Sequence, residues 1–496
     1  MKKHLLLASV SVIAALAASA AFADDLNNQT NINQTGTNGV VTINQTGNGN
    51  IAGTGTSISN SLVQSGNLNS LTVTQSGDDN IFKGATPNNP APGSLVQSGA
   101  NNTANVTQSG NSSTVTLSQT GNGNGVFDAT KALNFSATGD VDAINQSATA
   151  GSTVTLTQNG NNNTFGIDQG GATNTITVTQ ANDGNEAHAS QDATSSNDTI
   201  NLTQSGTGPI GNFALASQSA GASSTTTVVQ TGSGNSSSTD QSSTSSTLSV
   251  TQTGASNSAL GSQSGSFGTL FVNQSNGGSS PFDGHLAIFS QGGGTGNLLI
   301  LNQTGSGQAA NASQFGDSNN VISNQSGAGN NFNTAQNGAS NVVSNTQSGS
   351  SNTLMGGIQS GNSNTLTNTQ AGTNGFVSTA QIGNSNQMTI FQSNSNGSLV
   401  ATQTGNGNIL NSSQAVANAS LLADQTGDNN TINSTQNGFM LASATISQAG
   451  NGNTVNGTQT GGNSTATVGQ YGNNNSATYF QNGSGNTVNI TQGIKH

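Results

Sequence analysis

The chain has no cysteine, no tryptophan and no arginine, only five prolines, and just 4% aromatic and 4% charged residues among 496. Without cysteine there is no disulfide framework, so backbone pairing and packing must hold the fold. Five lysines against 17 acids give a formal charge of −12. No basic cluster exists to neutralise phosphates, which excludes nucleic acid as a partner. The mild negative charge fits solubility before assembly. Apolar residues make up 30%, low for a globular core, yet disordered chains are usually rich in charge and proline. What is abundant is Asn, Gln, Ser, Thr and 67 glycines, the uncharged polar class prone to β-aggregation.

Residues 1–23 read as a secretory signal peptide. Lys2 and Lys3 form the positive start, Leu5 to Ala20 the apolar core, and Ala21-Phe22-Ala23 the cleavage site before Asp24. No later segment approaches the ~20 apolar residues of a spanning helix, so no membrane span is expected. A short segment, 24–33, precedes the first repeat.

From Gln359 the residue recurs at Gln370, Gln381, Gln392, Gln403, Gln414, Gln425 and Gln436, always eleven apart. Seven positions after each Gln stands an apolar residue, such as Leu366, Val377, Met388 or Leu410. Asn364, Asn386, Asn408 and Asn430 sit at +5 in alternate units, and in the others Asn374, Asn396 and Asn418 sit at +4. The repeat is therefore 22 residues, made of two unlike elevens. It spans 34–274 with insertions at 46–63, 76–96 and 120–145, is interrupted at 275–290, and is most regular over 291–496. Pro87, Pro90, Pro92, Pro209 and Pro281 all fall in irregular intervals. Proline cannot donate to a central ladder, so its exclusion marks the regular units as hydrogen-bonded strands.

In Gln158–Gln169, positions +5, +7, +9 and +11 are Asn163, Phe165, Ile167 and Gln169. They share a parity and face one side of an extended strand, while Gly160 at +2 suits a tight turn. The expected fold is all-β: a β-solenoid of stacked strand-turn-strand coils, about 22 residues each, with coils ~4.8 Å apart. Inward amides are costly unless paired. In-register stacking lets each one donate to its equivalent a coil away, so the glutamines specify register.

The pattern Q-x-G-x-x-N-x-ψ-x-ψ-x-Q, seen in QTGNGN from Gln403 and QSGDDN from Gln75, resembles the curlin repeat of bacterial curli. The resemblance runs from about Gln34 to Gln492. It implies an amyloid-forming solenoid that self-associates into extracellular fibres of biofilms, exported through an outer-membrane pore and seeded by a nucleator. It also implies ladder roles for Gln34, Gln45, Gln75, Gln403, Gln425 and Gln481, and for Asn50, Asn80, Asn408, Asn430 and Asn486. The alternative is a monomeric β-solenoid adhesin binding a ligand through its insertions. The chain end after Gln492, GIKH, shows no cap and favours polymerisation.

No catalytic, cofactor or metal site is expected. His188 and His285 read as solvated loop histidines, with no G-x-S-x-G or H-E-x-x-H nearby. GDDN at Gly77–Asn80 and GDNN at Gly427–Asn430 are similar to calcium-binding turns, but most turns lack an Asp. Thr-x-Thr pairs such as Thr177 and Thr179 suggest an ice-binding face, but read as not recurring regularly, which leaves them as ordinary exposed strand threonines.

Overall fold

The computed structural model describes residues 29–30, 32–37, 40–47, 50–52, 62–67, 70–76, 81–86, 93–108, 114–125, 143–147, 151–206, 210–276, 284–438 and 441–493. Residues 1–23, expected above to be a signal peptide, all five prolines and Asn80 lie outside them. The described residues form β-strands joined by turns, without a helix, and so without one long and apolar enough to cross a membrane. Two compact units are present, 1–234 and 235–496.

Each unit is a parallel β-solenoid. In the second, Phe376–Ile382 pairs with Ser398–Thr404 and that with Ser420–Thr426, placing Gln381 against Gln403 and Gln403 against Gln425. These strands belong to one sheet, here called sheet A. The intervening strands Gln387–Gln392, Ile409–Gln414 and Thr431–Gln436 pair in the same way in sheet B. One 22-residue coil thus supplies one strand to each sheet, as the alternating elevens require. Inside, Leu366, Met388, Leu410 and Ile432 stack in register on sheet B, each at most 1% exposed. Leu354, Val377, Leu399 and Leu421 do so on sheet A. Burying each contributes about 1.5–3 kcal/mol.

The first unit keeps this register despite its irregular spacing. Gln119, Gln158, Gln180, Gln204 and Gln230 align on sheet B, although the intervals between them are 39, 22, 24 and 26 residues. The pairing is intact across these unequal intervals. Within 76–96, Ile81–Thr86 forms an arm of sheet A with Thr86 opposite Gln64, where a Gln would recur.

The outer face of sheet B here corrects the expectation that Thr-x-Thr pairs do not recur. Thr153, Thr175, Thr199 and Thr225 form one row across neighbouring strands, and Thr114 extends it. Thr116, Thr155 and Thr177 form a second, continued by Asn201 and Thr227. Ser118, Thr157, Thr179 and Thr203 form a third, ending at Val229. The unequal intervals conceal this grid in the sequence, and strand pairing assembles it.

Turns explain the shift of Asn between +5 and +4. The +4 residue is left-handed in both turns of the coil, with φ of 58° at Ser363, 56° at Asn374, 58° at Ser385 and 59° at Asn396. Asn tolerates that conformation better than most residues. At +2, Gly405 has φ 117°, and a Cβ there would run into the carbonyl oxygen of Gly427 one coil on. Gly485, with φ 74°, faces open space. Gly405→Ala is therefore expected to lower the thermal unfolding midpoint clearly more than Gly485→Ala, followed by circular dichroism. Equal losses would show that the coil-to-coil contact is not what demands glycine.

Candidate functional site: the amide ladders

The inward glutamines form two ladders, one per sheet. On sheet A of the second unit, Gln359 Nε2 donates to Gln381 Oε1 at 2.8 Å, Gln381 to Gln403 at 2.9 Å and Gln403 to Gln425 at 2.8 Å. On sheet B, Gln370 donates to Gln392 at 3.0 Å, Gln392 to Gln414 at 2.7 Å and Gln414 to Gln436 at 2.9 Å. All of these glutamines are buried. Gln481 receives from Gln459 at 2.8 Å. In the first unit Gln45 donates to Gln75 at 2.8 Å, and Gln34 stands in register with Gln64 on sheet A.

Each Nε2 has a second hydrogen, and the sequence reading did not anticipate its use. Gln403 also donates to the Gln387 carbonyl at 3.0 Å, Gln425 to that of Ile409 at 3.1 Å and Gln436 to that of Ser420 at 2.9 Å. These acceptors begin strands of the opposite sheet. One amide therefore ties coil to coil and arm to arm.

The asparagines form a further row in the turn from sheet A to sheet B. The backbone N–H of Asn386 donates to Asn364 Oδ1, that of Asn408 to Asn386 and that of Asn430 to Asn408, at 3.0–3.1 Å. Their Nδ2 groups reach turn carbonyls on the other side, Asn408 to Gly427 at 2.7 Å. Asn486 lies in the opposite turn and is not brought to this row; its Nδ2 donates to the Asn482 carbonyl at 2.8 Å. Asn50, fully buried, sits in that opposite turn in the first unit and donates to the Thr46 carbonyl at 3.1 Å.

The opposite turn has its own row in the second unit, from Asn235 through Asn257, His285, Gln308 and Asn330 to Asn352. It ends where Asn352 Oδ1 accepts from Gly375 N–H. Beyond it Val416, Ala419 and Ala442 form a small apolar cluster in place of amides. An exposed row was also missed. Asn384 N–H donates to Asn406 Oδ1 at 3.1 Å, Asn406 to Asp428 Oδ1 at 2.8 Å and Asp428 to Asn451 Oδ1 at 2.7 Å. The Asn or Asp at +3 of alternate units was its sequence signal. Asp428 of the GDNN turn is thereby engaged as a ladder acceptor.

Both histidines depart from the solvated-loop expectation. His188 lies on strand Glu186–Gln191, its Nε2 2.8 Å from Glu186 Oε1 and its ring covering Gly166. His285 is 1% exposed. Its Nδ1 accepts from Gln308 N–H at 3.2 Å and its Nε2 faces the Ser275 carbonyl at 3.2 Å, so the partners assign the neutral ring with the proton on Nε2. The insertion before it ends by supplying an aromatic ring to a position otherwise filled by amides.

Asp198 is a charged substitution. In the first unit the row runs Ser152, Asn174, Asp198, Ser224. Asp198 Oδ1 accepts from Ser224 N–H at 2.8 Å, while Oδ2 is buried without a partner. Burial, with the Asp192 charge nearby, pushes its carboxyl above the ordinary range.

Residues 461–493 match the family model of the curlin associated repeat. The match is confined to this stretch. It holds strands Thr465–Tyr471, Ser476–Gln481 and Thr487–Gln492, with Gln470 donating to Gln492. The ladder geometry of the matched repeat is that of the coils before it. No curated protein matches the chain.

Two titrations follow. Burial holds His285 below its ordinary pKa, so the unfolded chain takes up the proton first. Stability is then full above the ordinary histidine pKa and falls as pH drops toward the depressed folded value. His285→Asn, which supplies the usual ladder side chain, should flatten the midpoint-versus-pH curve there; an unchanged slope would remove His285 from the row. Asp198 has the opposite sign: stability is lost as pH rises from the ordinary carboxylate pKa through the raised folded one. Asp198→Asn is expected to raise the midpoint at pH ~7 and to lose that advantage in acid.

Proposed function

We propose that the chain is a secreted structural subunit of curli-like extracellular amyloid fibres, without enzymatic activity, that serves biofilm matrix, cell adhesion and surface attachment. The observation that carries this reading is the equivalence of the coils. Each one makes its axial bonds through the same backbone groups and the same Gln amides, so the surface that receives one coil within the chain suits a coil from another copy. The matched curlin repeat supports the same reading. Export at the signal peptide, passage through an outer-membrane pore and seeding by a nucleator complete the proposal.

Fibre diffraction and thioflavin binding on the mature chain test it, with meridional spacing near ~4.8 Å expected. A chain that stays monomeric at high concentration without that reflection would leave the monomeric adhesin. Replacing Gln403, Gln425 and Gln436 by Leu leaves neighbouring amides unpaired at about 1–3 kcal/mol each, and is expected to slow seeded growth. Unchanged growth kinetics would show that the ladder does not set register.

A further inference from the structure

The threonine grid on sheet B of the first unit lies on the face turned away from the ladder and the core. The ladder, the core and the turns hold the coils together, and the outer face adds bonds near the strand ends, such as Ser205 Oγ to Thr231 Oγ1 at 3.3 Å. Five strands, from Thr114–Thr120 to Thr225–Ser233, cross it in unbroken parallel register. Outward residues therefore repeat at roughly 4.8 Å between strands and 6.7 Å along them. The central residues, Thr155, Thr157, Thr177 and Thr179, are half-buried, because each stands against its neighbours in the row.

Three features of this face have a common consequence for water. Threonine is stiff at χ1, and identical residues in register repeat one environment, so hydroxyls and methyls form a two-dimensional lattice. The outward positions of these strands carry no charge, so no strongly hydrated ion disturbs water above them. The lattice is rigid, since the buried Gln ladder beneath holds register through Gln158, Gln180 and Gln204. Immobilising a water costs about 0–2 kcal/mol, and a fixed array of partners lets many waters be held in one repeating arrangement. The outer face of sheet A in the same unit is a contrast, being irregular and bearing Asp168, Glu186 and His188.

We propose that this threonine grid binds the surface of crystalline water, ice, whose oxygens repeat at spacings of the same order in two dimensions. The hydroxyls anchor lattice waters, and the methyls, lying between them, favour an ordered layer over bulk hydration. The proposal is independent of fibre formation, because the grid lies along the side of the coils.

The test is partition of the mature chain into slowly growing ice, together with inhibition of ice recrystallisation. The wild type is expected to concentrate in the ice and arrest grain growth. Thr155→Lys with Thr177→Lys should abolish both, while Thr467→Lys, exposed on a strand of the second unit, should leave them intact. If the lysine pair loses its strand circular dichroism, Thr155→Tyr with Thr177→Tyr replaces it, since tyrosine favours strands but interrupts the threonine rows. Exclusion of the wild type from ice overturns the proposal, as does undiminished partition of a folded grid variant.

Discussion

A side-chain amide taken out of water must find partners for its carbonyl and both its hydrogens, and this requirement governs the structure. In these coils the buried glutamine meets it with the equivalent glutamine above, the equivalent one below and a carbonyl across the coil. A register slip would leave every amide in the row unpaired inside an apolar interior, at about 1–3 kcal/mol per group. Hydrophobic burial drives collapse but is indifferent to which coil lies on which. The amide rows supply that discrimination.

The ladders are directional. Every Nε2 on sheet A of the second unit from Gln359 to Gln425 donates toward the later coil. The buried asparagine row has the reverse backbone sense, the later residue donating to the earlier side chain. The exposed row at Asn384, Asn406 and Asp428 runs the other way again. The turn from sheet A to sheet B is thus held from both sides, and its glycine and left-handed +4 residue give the backbone the shape that lets both sets form. This division of labour explains the two unlike elevens: amides fill one turn of the late coils, while Val416, Ala419 and Ala442 fill the other.

Two ladder positions are filled by ionisable side chains in place of an amide. His285 serves because a neutral imidazole nitrogen accepts as an amide oxygen does. Asp198 serves with one oxygen and strands the other. Both stand in or beside irregular intervals, where the chain departs from eleven-residue spacing, so their place in a row was invisible to counting. Tyr479 is a related case on the core side. Its ring fills the space above Gly457, its hydroxyl is buried without a partner, and burial pushes its pKa up to about 12.

Parity along the strand is a local property, so the sequence by itself determined the inward face, the 22-residue coil and the glutamines that mark register. Positions +5, +7, +9 and +11, as in Asn163, Phe165, Ile167 and Gln169, alternate with period two and share a face only in an extended chain. The matched curlin repeat was legible for the same reason. Which residues meet across coils separated by 39, 24 or 26 positions is not local. Only strand pairing decided that Thr116 lies beside Thr155, that His285 accepts from Gln308, and that the second amide hydrogen of Gln403 crosses to Gln387. Tertiary structure converted irregular spacing into regular rows because hydrogen-bonded register, rather than chain distance, sets what is adjacent in a solenoid.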